Sequence, residues 1–176
     1  ILKEKYGSFR AKISFIDHHH SHQIYAQKMR DWDKCFLLSY DGGGEVFSTK
    51  LWLKQNGERR IILKQKWPNS LGHFYSVFTG FLGFKMLEGE YKMMGLAPYG
   101  KPTYKDIILK EIIQKKPDGG YSLNTTICNY HSALVGKFHK RLINLFGEPR
   151  QSEEEPSQVH LDLAASVQNV FEEIQK

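Results

Sequence analysis

Two short apolar runs near the start of the chain each end at an aspartate. Lys12–Ile16 (KISFI) ends at Asp17, and Lys34–Tyr40 (KCFLLSY) ends at Asp41. Short runs rich in β-branched and aromatic residues predict buried strands. With a helix predicted over about His19–Asp31 between them, the pattern indicates an α/β fold with a mixed sheet. Such sheets bind ligands at the C-terminal ends of their strands, which is where both aspartates fall.

The rest of the chain predicts a hairpin followed by helices. Glu45–Leu53 and Arg59–Lys66 alternate in polarity, and the Asn-Gly pair between them is typical of a tight hairpin turn. From Ser70, a candidate N-cap, apolar residues recur at helical spacing to about Gly83. Further helices are predicted over Thr103–Gln114, Ser132–Phe146 and Leu161–Ile174, with an acidic linker over Gln151–Pro156.

Composition narrows the class of protein. The chain has 176 residues, 40% of them hydrophobic, and a net charge of +6, which is an ordinary globular balance. It lacks both a membrane-length apolar stretch and a signal peptide, so we expect a soluble, cytoplasmic protein without a membrane partner. Cys35 and Cys128 are too few for a disulfide framework. Because the chain starts at Ile1 and stops at Lys176 inside a predicted helix, we expect it to be a fragment.

Four histidines follow the first predicted strand, at positions 18, 19, 20 and 22. His18 and His22 are four residues apart, so on a helix their rings share a face and can hold one metal ion. Imidazole suits Fe, Zn, Mn or Ni, and two ligands do not choose between them. The structural alternative is a helix start whose histidines cap, pack or face solvent. For an isolated pair with this spacing, that alternative is the favoured one.

A glycine run follows the second predicted strand. Asp41, Gly42, Gly43, Gly44 and Glu45 form a segment in which backbone N–H groups can approach phosphate oxygens closely. The aspartate could also hold a hydroxyl or a metal-bound water. A plain turn between two strands is the structural alternative.

These motifs together resemble those of the NodU/CmcH carbamoyltransferase family. The resemblance lies in five segments, which occur in the family's order over about residues 17–175: His18–His22 (HHxxH), Asp41–Glu45 (DGxGE), Ser70–Ser76 (SLGxFYS), Gly89–Gly100 (GExKxMGLAPYG) and Asp162–Gln168 (DIAASxQ). Each motif alone is weak or moderate, but five in order are specific. The chain departs from the family at His20 and Ser21, where small or apolar residues are common, and at Gln23, where alanine is common.

The resemblance implies a fold and an activity. The fold would be actin-like (ASKHA, ribonuclease H-like), with a mixed sheet flanked by helices, present as a partial domain. Residues 1–155 would form the N-terminal subdomain without its first strand, and residues 156–176 would start a truncated second subdomain. The activity would be transfer of a carbamoyl group from carbamoyl-adenylate to a hydroxyl of an antibiotic, sugar or nodulation-factor-like acceptor. A domain absent from this chain would make the donor from ATP and carbamoyl phosphate.

The resemblance also implies ligands and partners. His18 and His22 would bind a divalent metal, with Fe(II) favoured over Mn or Zn, and a later aspartate outside the chain would complete the site. The nucleotide or the acceptor would lie against Asp41, Gly42, Gly43, Gly44, Glu45 and Lys92. No catalytic residue is assigned. We expect the missing C-terminal parts of the protein as partners, a homodimer through an exposed apolar face of the last helix, and no transfer by this chain alone.

Three other classes remain open from the sequence. A tRNA threonylcarbamoyl-transfer or hydrogenase-maturation relative would share the fold and the histidine pair. A nucleic-acid-binding module would use the basic residues, but the chain has no RNP-like strand, helix-turn-helix signature or zinc-finger spacing, so nucleic acid is disfavoured. A sugar-kinase-like enzyme would use Asp41 as a base, without any supporting partner motif.

Overall fold

The computed structural model describes residues 4, 5, 7, 12, 14–30 and 32–176. Its strands form two separate antiparallel sheets, one in the order β1-β2-β3 and the other β4-β5. No helix in these ranges is long and apolar enough to cross a membrane. The elements are α1 (His18–Met29), β1 (Lys34–Gly44), β2 (Phe47–Gln55), β3 (Glu58–Lys66), α2 (Leu71–Phe81), α3 (Glu90–Leu96), a 3₁₀ turn (Ala97–Tyr99), α4 (Lys105–Glu111), β4 (Ile113–Lys115), β5 (Tyr121–Leu123), α5 (Tyr130–Leu134), α6 (Lys140–Phe146) and α7 (Gln158–Ile174).

The α/β character is confirmed, but the predicted mixed sheet is not found in the described ranges, where every strand pair is antiparallel. The hairpin between β2 and β3 turns at Asn56 and Gly57, whose φ angles are 54° and 76°. Two positive φ angles give the turn that matches strand twist, as the Asn-Gly pair predicted. The predicted strand Lys12–Ile16 is wrong for residues 14–16, which have no regular structure, and Phe15 is 97% exposed. Its Ile13 lies outside the described residues.

Strand β1 is buried on one face only. Leu37 and Ser39 are buried, whereas Phe36, Leu38 and Tyr40 are exposed. Successive side chains of a strand point to opposite faces, and an antiparallel sheet can leave one face open. The prediction of a buried strand therefore holds for the face that carries Leu37 and Ser39.

Helix α2 lies at the centre of the hydrophobic core. Its N-cap Ser70 accepts a hydrogen bond from the His73 N–H, as the sequence predicted. Phe74, Phe78 and Phe81 are fully buried. The apolar face of α7 joins the same core through Leu163, Ala164, Val167 and Val170. The expected exposure of an apolar face on this helix is therefore wrong. The homodimer and the assignment of the helix to a second subdomain stay predictions.

Two predicted helices are shorter than expected. The segment Thr103–Gln114 forms α4 but then changes to β4, because buried Ile113 pairs with Leu123 of β5. The segment Ser132–Phe146 is divided into α5 and α6. Gly136 has a φ of 71°, which ends the first helix, and a new cap at residue 139 starts the second.

The glycine-punctuated loop after α3 docks on α7. A Cβ at Gly100 would overlap the Leu161 backbone, so only glycine allows this approach. The Lys101 N–H donates to Asp162 at 2.8 Å, and the Tyr104 N–H donates to Ser166 at 2.9 Å. Two motifs that are far apart in the sequence, GExKxMGLAPYG and DxAAS, thus form one packed contact.

Candidate metal centre

The start of helix α1 is fixed by Asp17. One carboxylate oxygen accepts the His20 N–H at 2.8 Å, which caps the helix, and the other accepts the Lys50 ammonium of β2 at 2.7 Å. The hydrogen bond from Lys50 is the main cause that lowers the pKa of Asp17, and the His20 N–H adds to it against the effect of burial. The carboxylate is therefore ionised at neutral pH and ties α1 to the sheet.

The buried ring of His19 also holds α1 against the sheet. Its ring is fully buried, with Nε2 2.8 Å from the Phe47 carbonyl oxygen and Nδ1 2.7 Å from the Ser39 hydroxyl. A carbonyl can only accept, so Nε2 donates to it, and Nδ1 shares the second hydrogen bond with the Ser39 hydroxyl. The second histidine of the HHxxH motif is thus a structural residue that holds α1 against β1 and β2.

His18 and His22 lie on one face of α1, and the structure brings Asp41 of β1 to them. The Nε2 atoms of the two rings are 3.2 Å apart. Asp41 Oδ2 lies 2.7 Å from His18 Nε2 and 3.8 Å from His22 Nε2. The three groups could hold a metal ion, and all three are partly exposed. We call His18, His22 and Asp41 the metal cluster.

The donor set of the metal cluster fits a divalent transition metal. Two imidazoles and one carboxylate are the combination found at non-haem Fe(II) sites, and Zn and Mn also accept it. Ligand atoms about 2.1 Å from one ion, at angles between octahedral and tetrahedral values, lie about 3.0–3.4 Å apart. The three separations of 2.7, 3.2 and 3.8 Å bracket that range, so small side-chain rotations would suffice.

A bulge in β1 presents Asp41 to the histidines. Tyr40 pairs with Thr49 and Gly44 with Phe47, so three residues of β1 face one of β2 and leave the ladder. Burial raises the pKa of Asp41, but hydrogen bonds from His18 and from the Gly42 N–H outweigh it, so the pKa of this carboxyl is lowered. The group that faces the two imidazoles is therefore an anion at neutral pH.

Helix α2 supports the Asp41 segment from the other side. The Ser70 hydroxyl donates to the Asp41 carbonyl oxygen at 3.0 Å while its oxygen also caps α2. A Cβ at Gly72 would lie 3.0 Å from Gly42 backbone atoms, so the first turn of α2 needs glycine there to pack this closely. The Ser-Leu-Gly sequence thus positions the carboxylate of the metal cluster.

The metal cluster adds one residue to the predicted histidine pair. From the sequence, a later aspartate outside this chain is expected to complete the site, which stays a prediction, and Asp41 is expected to contact the nucleotide or the acceptor. The structure places a carboxylate, that of Asp41, beside both imidazoles. The available signal was the position of Asp17 and Asp41 at the ends of neighbouring apolar runs, but the contact itself depends on how α1 packs. A role of Asp41 toward nucleotide or acceptor stays a prediction.

The other predicted site residues are spread around this segment. Gly42 is half-buried and Gly43 is exposed, and neither has a positive φ, so their lack of a side chain matters for space rather than for conformation. Glu45 lies in the exposed turn to β2 with a φ of 57°. Lys92 is exposed on α3, with its ammonium 6.0 Å from the Tyr91 ring centroid. Among the described contacts, none joins Glu45 or Lys92 to the metal cluster.

Gln23, one of the departures from the family, is a buried residue of α1. Its side-chain oxygen accepts from Arg59 of β3 at 3.4 Å. Its amide nitrogen has no hydrogen-bond partner among the described residues. Gln23 is not among the metal-ligating groups of the metal cluster, and an altered packing around that cluster stays a prediction.

Comparison with known proteins identifies the family. Residues 2–175 match the family described as "Carbamoyltransferase N-terminus". An uncharacterized protein of Synechocystis is 42% identical over 163 residues, 92% of this chain and 26% of the relative. The nodulation protein NolNO of Sinorhizobium fredii is 32% identical over 176 residues, 99% of this chain and 24% of the relative. The nodulation protein NolO of Bradyrhizobium diazoefficiens is 29% identical over 159 residues, 90% of this chain and 27% of the relative.

The match covers nearly all of this chain but only part of those proteins. The chain spans about a quarter of the length of these curated relatives. The similarity is therefore to one N-terminal region of the family, and this region contains the five motifs and the metal cluster. The chain belongs to the carbamoyltransferase N-terminal domain family.

Proposed function

We propose that this chain is the metal-holding part of an O-carbamoyltransferase. The complete protein would transfer a carbamoyl group from carbamoyl-adenylate to a hydroxyl of an antibiotic, sugar or nodulation-factor-like acceptor. In the balanced reaction the acceptor oxygen loses its proton and bonds to the carbamoyl carbon. The bond from that carbon to the phosphate oxygen breaks, AMP leaves, and the proton of the acceptor hydroxyl passes to solvent. The metal cluster is the observation that carries the proposal, and membership of the carbamoyltransferase family supports it.

The residues of the metal cluster would hold one divalent ion, with Fe(II) favoured over Mn or Zn by the two-histidine, one-carboxylate donor set. When bound, such an ion supplies a Lewis acid that polarises a phosphoryl oxygen of the donor. Asp41, whose pKa is lowered, would partly neutralise the charge of the ion, and His18 and His22 would supply neutral nitrogen ligands.

The glycine segment would bring the reactants close to these ligands. Gly42 follows Asp41 directly, and an exposed Gly43 leaves its backbone free to approach a nucleotide phosphate or an acceptor. Lys92 would contact the nucleotide or the acceptor only if these molecules extend toward α3. ATP and carbamoyl phosphate would be substrates of the complete protein, in which other parts of the same chain make the donor.

The test is carbamoyl transfer by the complete protein supplied with carbamoyl-adenylate, Fe(II) or Mn(II), and a panel of hydroxylated acceptors. His18→Ala, His22→Ala and Asp41→Asn should each lower transfer by about 100-fold or more, because each removes a ligand from the ion that polarises the donor. His20→Ala is the matched control, since this side chain lies on the same helix outside the metal cluster. Residues 1–176 alone should not transfer the carbamoyl group.

Two results would contradict the proposal. One is full transfer by all three cluster variants, which would remove the metal cluster from the reaction. The other is robust transfer by residues 1–176 alone, which would show that no other part of the protein is needed.

A further inference from the structure

An aromatic-walled cavity of about 180 Å³ lies beside the glycine segment that follows Asp41. Its walls include the rings of Trp67, His73, Tyr130 and His131, and Asn129 adds an amide. We call this cavity the ring pocket. Sites for whole drug-sized ligands are about 300–1,000 Å³, so the ring pocket is large enough for one ring of a ligand rather than for a whole ligand.

The ring pocket adjoins the residues that follow Asp41. A Cβ at Gly42 would lie 3.6 Å from the His73 ring, and a Cβ at Gly43 would lie 3.6 Å from the Trp67 ring. The aromatic rings therefore lie against the two glycines that directly follow Asp41 of the metal cluster in the sequence. A molecule with one ring in the pocket could extend past the glycines toward that cluster.

The Trp67 ring is inclined to two other rings of the pocket rather than parallel to them. The Trp67 ring is inclined by 89° to His73, with centroids 6.5 Å apart, and by 58° to His131, with centroids 6.2 Å apart. His73 already stacks on Tyr130 at 3.8 Å and 15°. A nucleobase is held best between two parallel faces, whereas inclined rings suit a puckered ring that rests its C–H groups on one aromatic face.

The polar side chains that line the ring pocket carry no permanent charge. Among the described residues that line it, none is Asp, Glu, Lys or Arg. Burial is the main cause that lowers the pKa of His73, and His131 lowers it further against the opposite effect of the Asp41 carboxylate, so His73 is neutral at neutral pH. Neutral imidazole, the Asn129 amide and the Thr125 hydroxyl can each bond to a hydroxyl group. A charged ligand group would lose its hydration here without an opposite charge to replace it.

We propose that the ring pocket binds an uncharged, hydroxylated ring of the acceptor, such as a neutral sugar. The pocket would thereby favour neutral glycosides over amino sugars, and it would not bind the base of the nucleotide. This inference rests on the proposed function, because it assigns the pocket to the acceptor of that reaction. Trp67 would be the main contact face, since 44% of its surface is exposed.

The experiment measures binding of a neutral methyl glucoside, the matching methyl glucosaminide and adenosine to the complete protein by calorimetry or ligand-observed NMR. Trp67→Ala should weaken glucoside binding at least tenfold, and His131→Ala should weaken it severalfold. Trp32→Ala is the matched control, because Trp32 is 58% exposed and does not line the pocket. The control should bind the glucoside like the unmodified protein, and the glucosaminide should bind at least tenfold more weakly than the glucoside.

Three outcomes would overturn the inference. Glucoside affinity unchanged in both Trp67→Ala and His131→Ala would make the pocket a structural cavity. Loss of adenosine binding in Trp67→Ala with the glucoside unaffected would make it a base site. Tighter binding of the glucosaminide would contradict the uncharged lining.

The same samples separate this inference from the proposed function. Trp67-dependent glucoside binding without any carbamoyl transfer would sustain the sugar pocket while the proposed function fails. Normal metal content and transfer in Trp67→Ala, with the same acceptor concentration needed for half-maximal rate, would sustain the proposed function while the inference fails.

Discussion

Replacing His19 with alanine should loosen α1 from the sheet while leaving the donors of the metal cluster chemically intact. The ring is fully buried and joins the Ser39 hydroxyl to the Phe47 carbonyl oxygen. Alanine would remove both hydrogen bonds and leave a cavity between α1 and the sheet. The histidine pair on α1 would then no longer be held at a fixed distance from Asp41.

The size of the effect follows from those contacts. Each buried hydrogen bond contributes about 1 kcal/mol, and truncation of a buried side chain adds the cost of its cavity. We expect the free energy for opening α1 to fall by about 2–4 kcal/mol. Because about 1.4 kcal/mol corresponds to a tenfold change in an equilibrium constant, amide exchange in α1 should accelerate by roughly 30-fold or more.

The assay is hydrogen exchange by mass spectrometry on peptides that cover residues 18–29 of the complete protein. His20→Ala is the matched control, since its half-buried side chain makes no hydrogen bond to the sheet within the part of the chain that the structure describes. Metal affinity should fall about tenfold in His19→Ala, because the ligands remain but are less well oriented. Unchanged exchange in His19→Ala, or equal acceleration in the control, would refute the structural role assigned to this ring.

Three further substitutions test the surroundings of the site. Gly72→Ala should cost about 1–3 kcal/mol of stability in thermal unfolding, because its Cβ would crowd the Gly42 backbone at 3.0 Å, and a neutral effect would contradict that packing. Gly43→Val should weaken nucleotide or acceptor binding about tenfold with little change in melting temperature, and full affinity would make the segment merely structural. The backbone N–H of Lys101 is the main cause that lowers the pKa of Asp162, so this carboxylate adds stability above its unfolded pKa near 3.8 that is lost as the pH falls through the lower folded value. Asp162→Asn should therefore lose less stability between neutral pH and pH 2 than the unmodified protein does, and identical pH curves would exclude that contribution.

Local signals in the sequence predicted the elements that depend on neighbouring residues. The Asn56-Gly57 turn needs only two residues that accept positive φ, and α2 needs only its cap and a sustained apolar period. Strand β4 was missed because three residues form a strand only when Leu123 is available to pair with Ile113. The apolar residues recur at helical spacing throughout residues 132–146, so this spacing did not indicate the end of a helix at Gly136. The effect of Gly136 depends on its backbone conformation.

The histidine pair of the metal cluster could be predicted from the sequence, whereas the approach of Asp41 could not. His18 and His22 share a face because four residues make about one helical turn, which is a local property. The approach of Asp41 is tertiary, since it depends on a bulge in β1 and on the buried bonds of His19. The ring pocket could not be predicted from the sequence, because Trp67 and His131 come together only through the folding of distant segments.

The most direct test of the central claim is to locate a bound ion by anomalous X-ray diffraction from crystals of the complete protein prepared with Fe(II) or Mn(II). One anomalous peak should lie about 2.0–2.3 Å from Nε2 of His18, Nε2 of His22 and a carboxylate oxygen of Asp41. The peak should be lost or strongly reduced in His22→Ala. An ion bound elsewhere, or full occupancy at this position in His22→Ala, would contradict the metal cluster and the function proposed from it.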